Sequence, residues 1–196
     1  MSLILITAMQ NFIIFMSDGR VTQQKTIMDV DVLQEDFKKL LKVNANICIG
    51  FAGAKEQCEE VLKCLNNYTL NNLNLDNVIE IINNEAKSVY SKYMILGIQI
   101  KILMAIGGIQ DGVIKFKTFS SVNGFKIEKY IPKGDEISYA MLSPDGVDIK
   151  NLVNQIYANA PCTSDSLKKA MGGCIDNVSQ FNNTVNNVKF TEIIRR

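Results

Sequence analysis

The chain has 196 residues and not one histidine. That absence excludes every catalytic device built on a Ser-His or Cys-His pair, together with histidine-containing metal sites. An enzyme made from this sequence must take its base from elsewhere, and neither a metal nor a cofactor is expected. Paired cysteines are missing too. Cys48, Cys58, Cys64, Cys162 and Cys174 form no C-x-x-C, and their odd number argues against a closed disulfide framework. Cys48, Cys58 and Cys174 fall on apolar positions, where a thiol behaves as a small buried hydrophobe. No apolar run approaches the roughly 18 residues of a membrane span; the longest, around Ile100 to Ile109, holds two glycines and Lys101. Charge of one sign is also lacking. With 21 Lys plus Arg against 20 Asp plus Glu the net charge is +1, which supplies no pull toward nucleic acid or an anionic membrane. The N-terminal residues lack the basic region and long apolar stretch of a signal peptide, so the expected location is the cytoplasm.

What is present suits one domain over residues 1–196, long enough to bury a sizeable core. Leu3 to Thr7 and Phe12 to Met16 are short apolar runs split by Gln10-Asn11, which predicts a tight hairpin of buried strands. The polar stretch Thr22 to Asp36 reads as an excursion over the surface. Strands follow at Lys38 to Val43 and Asn46 to Phe51, ending in Ala52-Gly53-Ala54. Ala54, Cys58, Val61, Leu62 and Leu65 then form a helical stripe, with Lys55, Glu56, Glu59, Glu60 and Lys63 on the opposite face. A second stripe runs from Val78 to Tyr93, with Asp76 as its expected N-cap.

The second half repeats this order. Ile98 to Ile106, Gly112 to Phe119, Gly124 to Tyr130 and Glu136 to Leu142 read as strands, with hairpin turns at Asp111-Gly112 and Asn123-Gly124. Helices are predicted over Val147 to Asn159 and Ser164 to Ser179, the latter capped by Thr163 or Ser164. A last strand spans Asn187 to Ile194. Four helices with one-sided stripes need two sheet faces to cover, and near-continuous apolar strands imply sheets buried on both sides. The expected class is α+β, as a four-layer αββα sandwich of two antiparallel sheets between two helix layers.

Motifs on these elements carry a resemblance. Ser2 opens the first strand, Asp18-Gly19-Arg20-Val21-Thr22 ends the second, Lys39 begins the third, and Phe51-Ala52-Gly53 ends the fourth before a helix. In this order the chain resembles the N-terminal-nucleophile hydrolases, specifically the proteasome β subunits and HslV-like peptidases, whose mature chains begin with a threonine. The spacing of 16 residues from Ser2 to Asp18 agrees with that family; the spacing from Asp18 to Lys39 is longer. The resemblance implies a threonine-peptidase-like hydrolase of peptide or amide bonds, in which loss of Met1 leaves Ser2 as nucleophile and its α-amine as base. That amine has a reference pKa of about 7.7 to 8.0 and is partly neutral near pH 7. Lys39 would depress the pKa of hydroxyl and ammonium, and Asp18 would anchor it. The Gly53 N–H would meet the oxyanion. Arg20, Val21, Thr22 and Phe51 would border the substrate, with Thr22 and Gly53 bracketing an extended chain as strands do. A homo-oligomeric ring is implied, and an ATP-dependent unfoldase is a partner the family admits.

Two departures keep other readings open. The family places an acid near the end of the last helix to support the terminal amine, whereas Asn177 to Asn182 contains none. Its glycine-serine after the inner strand is replaced by Leu142-Ser143-Pro144-Asp145, leaving Ser143 to take the supporting role. A catalytically inactive structural or assembly subunit of the same fold is the alternative, and a small-molecule amidase shares the chemistry with a different pocket.

Overall fold

In the computed structural model, residues 2–24, 30–143, 149–158 and 160–196 are described. The first hairpin forms as the apolar runs predict. β1 (Ile4–Ala8) and β2 (Phe12–Asp18) are antiparallel, every residue of both is buried, and the turn closes with the Met9 N–H on the Phe12 carbonyl at 2.9 Å. The polar stretch that follows is not a plain excursion: β3 (Val21–Gln24) and β4 (Val30–Gln34) pair as a two-stranded ribbon with a bulge between Val21 and Thr22. Its residues are too polar to signal a buried strand, and the pairing of backbone groups supplies the order instead. β5 (Leu40–Asn44) and β6 (Ile47–Gly53) come next, so Lys39 lies just before a strand.

α1 (Lys55–Lys63) and α2 (Leu75–Ile95) bury the predicted stripes. The cap of α2 is Asn74, whose side chain accepts the Asn77 N–H at 2.8 Å; Asp76 lies inside the first turn and does a different job. β7 (Ile102–Gln110) and β8 (Val113–Ser120) turn at Asp111 and Gly112, whose φ values of 53° and 70° are those of a type I′ hairpin. Asn123-Gly124 makes no such hairpin. A 3₁₀ turn, Ser121–Asn123, precedes it, and the Phe125 ring is buried edge-on against Tyr90 of α2 at 5.5 Å, which delays β9 to Glu128–Tyr130. β10 (Ser138–Leu142), α3 (Ile149–Ala158), α4 (Ser164–Ser179) and β11 (Lys189–Arg195) complete the chain, with Thr163 capping α4. Residues 147, 148 and 159 of the predicted third helix lie outside the described residues, as do Pro144 and Asp145.

The fold is α+β, with antiparallel sheets ordered β10-β1-β2-β11 and β5-β6-β7-β8-β9 and the ribbon β3-β4 beside them. Three apolar clusters join these parts. Ile4, Ile6, Ile13 and Phe15 of the first sheet meet Leu40, Cys48, Ala105 and Phe116 of the second. The second sheet packs on α1 and α2 through Ile49, Phe51, Met104, Cys58 and Ile82, and the first on α3 and α4 through Leu5, Ile14, Val153, Leu167 and Ile175. Each fully buried aliphatic side chain contributes about 1.5–3 kcal/mol. The three thiols read as core are core: Cys48, Cys58 and Cys174 are 0 % exposed, and burial pushes Cys58 up to about 12 and Cys174 up to about 11.

Candidate active site

The cleft is assembled where one end of the first sheet approaches the start of β5 and the end of β6. Ser2 precedes β1 and is 6 % exposed. Antiparallel pairing with β2 brings the two strand ends together: the Asp18 N–H donates to the Leu3 carbonyl at 3.1 Å, and the Leu3 N–H donates to Asp18 Oδ1 at 2.8 Å. Asp18 therefore fixes the residue next to Ser2. Its other oxygen, Oδ2, accepts the Arg20 N–H at 2.9 Å.

Lys39 completes this centre from the second sheet. Its Nζ lies 2.9 Å from Asp18 Oδ1 and donates to the Asp18 carbonyl at 3.0 Å. A lysine triplet at a strand edge is ordinarily solvated, and Lys38 and Lys42 are, Lys38 reaching out to Glu192 at 2.6 Å. Lys39 is 2 % exposed and its partner Asp18 is 0 % exposed. Burial drives Lys39 below the ordinary lysine range, with the Asp18 charge opposing. Burial likewise raises Asp18 above the usual carboxylate range, against Lys39 and the Leu3 and Arg20 N–H groups. The cause is the same for both partners though the shifts run in opposite directions: the interior disfavours charge and makes the Lys39 proton easier to lose than that of a surface lysine.

A cleft of about 80 Å³ opens beside this pair, lined by Ser2, Val21, Thr22, Phe37, Lys39, Phe51, Ala52, Gly53, Ala54 and Lys55. Six residues singled out in the sequence meet there: Ser2, Val21, Thr22, Lys39, Phe51 and Gly53. Gly53 has φ +110°, and a Cβ on it would lie 2.1 Å from the Lys101 carbonyl oxygen, so only glycine fits this strand-to-helix junction. Phe51 and Phe37 meet edge to face with centroids 6.1 Å apart and form an apolar wall.

Three of the singled-out residues are elsewhere. Asp18 stands behind the cleft wall, holding Lys39. The Arg20 guanidinium turns to Glu35, with Nε and Nη2 each 3.0 Å from a carboxylate oxygen, and to the Asn183 carbonyl at 2.8 Å. Ser143 follows β10, whose Leu142 pairs with Ile4, so it lies one step along in register toward Leu3 without lining the cleft. At the end of α4, Ser179 donates to the Asp176 carbonyl at 2.7 Å, and Asp176 itself pairs with Lys189 at 2.5 Å.

Sequence reasoning missed Phe37, Ala52, Ala54 and Lys55. Phe37 sits two residues before Lys39 and reports the strand period. Lys55 belonged, by helical periodicity, to the solvent face; instead its Nζ lies 4.2 Å from the centroid of the Phe37 ring and donates to Gln34 Oε1 at 3.2 Å. Asn186 was also missed. It accepts the Gly19 N–H at 2.9 Å and donates to the Glu35 carbonyl at 2.7 Å, tying the turn after Asp18 to the residue that follows β4 and to the segment before β11.

This architecture is the HslV-like fold. Among solved structures the chain is similar to eukaryotic HslV from Trypanosoma brucei, with 12 % identity, TM-score 0.63 and 99 % of each chain covered. It is also similar to Anbu in its helical assembly from Pseudomonas aeruginosa, with 12 % identity, TM-score 0.76, and 99 % of this chain and 81 % of that one covered. Anbu from Yersinia bercovieri, described as an ancestral beta-subunit, gives 12 % identity and TM-score 0.73 over 98 % of this chain and 81 % of that one. At this identity what is shared is the fold. No family model and no curated protein sequence matches the chain.

Proposed function

We propose that this protein is a proteasome-like hydrolase of peptide or amide bonds with Ser2 as its N-terminal nucleophile. The observation that carries the reading is the meeting of Ser2, Lys39, Gly53 and Thr22 in one cleft, with Lys39 held by a buried Asp18. Once Met1 is removed, the α-amine of Ser2 takes the hydroxyl proton as Oγ attacks the substrate carbonyl. The Gly53 N–H stabilises the oxyanion, the amine passes the proton to the leaving nitrogen, and water hydrolyses the ester in a second step of the same kind. Lys39 lowers the pKa of both groups on Ser2 through its positive charge. Thr22 and Val21 border an extended substrate, Ser143 supports the amine, and Arg20 acts through the turn it stabilises.

The same reading makes the whole chain one domain of four stacked layers, αββα, which the three apolar clusters support. It places the protein in the cytoplasm as a homo-oligomer; among the described residues no helix is long and apolar enough to cross a membrane. The tip of α2 supports self-association, because Ile95 and Leu96 are 85 % and 64 % exposed beside the exposed Met94 and Ile98. An ATP-dependent unfoldase that feeds such an assembly belongs to the proposal.

A second reading, a catalytically silent subunit of the same fold, is favoured by one observation: no acid lies between Asn177 and Asn182, and Ser179 is spent on capping its own helix. The deciding measurement is intact mass together with reaction toward an electrophile that captures N-terminal hydroxyl nucleophiles. The hydrolase reading expects Met1 absent and one adduct on Ser2, lost in Ser2→Ala. Retained Met1 with no adduct establishes the silent subunit instead.

A further inference from the structure

We propose that Lys55 is a specificity-determining residue that selects substrates presenting a carboxylate, foremost glutamate, to the cleft beside Phe51. The inference rests on the hydrolase reading for its substrate class, though the cleft chemistry that supports it does not need turnover. The cleft lining carries two cations, Lys39 and Lys55. Lys39 is already ion-paired with Asp18 at 2.9 Å, so a substrate carboxylate would have to compete with that partner. Lys55 is not neutralised. Its partners are the amide oxygen of Gln34 at 3.2 Å and the face of the Phe37 ring at 4.2 Å, and among the described residues no carboxylate is ion-paired with it. Asp36 takes the other end of the same amide, Gln34 Nε2 donating to its Oδ1 at 3.3 Å, so a neutral group separates it from the ammonium.

The surroundings reinforce this charge. Lys55 is the first residue of α1, Ala54 at the N-cap offers no side-chain hydrogen bond, and the helix start therefore adds partial positive charge on the cleft side. Glu56 in the first turn is exposed to solvent. The walls formed by Val21, Phe37 and Phe51 suit methylene groups, and the ammonium suits what lies at their end. A glutamate side chain has both parts: two methylenes for the aromatic wall and a carboxylate that exchanges the Gln34 amide for itself on Nζ. Leucine would satisfy only the wall, and lysine would meet a like charge.

The test uses the full chain with Ser2→Ala, which binds without turnover, and fluorescent tetrapeptides ending in Glu, Gln, Leu or Lys, read by anisotropy. A charge-assisted hydrogen bond in a half-buried cleft predicts the Glu peptide to bind roughly tenfold tighter than its Gln isostere, a ratio that shrinks as salt rises. Lys55→Gln should bring that ratio to about one, and Lys55→Glu should turn the preference toward the Lys peptide. Equal binding of the Glu and Gln peptides, a preference that survives Lys55→Gln, or no binding of any peptide overturns the proposal. The same sequences offered as amides to the chain with Ser2 intact separate the two readings. Cleavage without a glutamate preference sinks the Lys55 assignment alone, whereas glutamate-selective binding without cleavage leaves it standing and sinks the hydrolase.

Discussion

The Asp18–Lys39 pair and the Asp76 cluster use the same charges at nearly the same separations. Lys39 lies 2.9 Å from Asp18, while Lys117 and Lys115 lie 3.0 and 3.1 Å from Asp76. Their settings differ. Asp76 sits in the first turn of α2, about half exposed, where it complements the helix dipole and ties the helix to the β7-β8 hairpin together with Gln110. Its carboxyl is held well below the ordinary range, at about 2, chiefly by hydrogen bonds from Lys117 and Lys115. Asp18 meets one lysine in place of two and has no access to water, and burial moves its carboxyl the other way. Ion pairs of nearly the same length thus give opposite shifts, because desolvation outweighs Coulomb attraction in one place and not in the other. A surface cluster of that kind helps a fold at little cost. A buried pair is expensive to keep, and under the proposed hydrolase its position behind Ser2 gives it a chemical role.

The sharpest way to break this comparison is to remove one partner from each site. Lys39→Met leaves the Asp18 charge buried without its counter-ion, and urea unfolding should show a loss of about 3–5 kcal/mol. Adding Asp18→Asn removes the stranded charge and should recover part of that loss, though not all, because an amide cannot accept both the Leu3 and the Arg20 N–H groups. Neither variant should form the Ser2 adduct. A loss under about 1 kcal/mol, the range of exposed pairs, would mean that the two sites are energetically alike.

Much of this centre was legible because its residues sit on strand ends whose character is local. Apolar runs marked β1 and β2, and the Asp18 to Thr22 motif lay at the end of the second, so the partner strands had to bring Ser2 and Asp18 together. α4 was legible in its extent and its face from the stripe Leu167 to Val178, while the choice of Thr163 over Ser164 as its cap waited on the backbone. What escaped depends on contacts between distant segments. Lys55 follows the helical repeat of a solvent-facing residue, and nothing within α1 says that Phe37, eighteen residues earlier, waits beneath its ammonium. The pairing of Thr22 with Val32 leaves no apolar alternation to read. Asn74 and Asp76 are both good caps by type, and only the backbone geometry of the approach to α2 chooses between them.

An intermediate case sharpens the comparison. Asn186 is 5 % exposed and holds the turn that places Asp18, accepting the Gly19 N–H and donating to the Glu35 backbone and carboxylate. Asn186→Ala strands a buried donor and a buried acceptor but no charge, so its cost should be about 1–3 kcal/mol, between the buried pair and the surface cluster. Hydrogen exchange at the Gly19 amide should rise more than at β7, which lies away from the turn. Uniform loss of protection would show that the turn and the sheets open as one unit.

Asp76→Asn should have the smallest effect, and pH gives it a signature the others lack. The folded-state pKa of Asp76 is depressed from 3.8 to about 2, so its carboxylate stabilises the fold fully above the unfolded-state value and progressively less as pH falls through that window. Because the side chain is 47 % exposed, the contribution at neutral pH should be at most about 1 kcal/mol and should shrink with added salt. Unfolding curves of the unaltered chain and of Asp76→Asn should therefore differ at pH 6 and converge near pH 2. A difference that persists at pH 2, or that ignores salt, would mean that Asp76 acts through packing at the start of α2, and that the contrast with Asp18 is one of geometry more than of solvent.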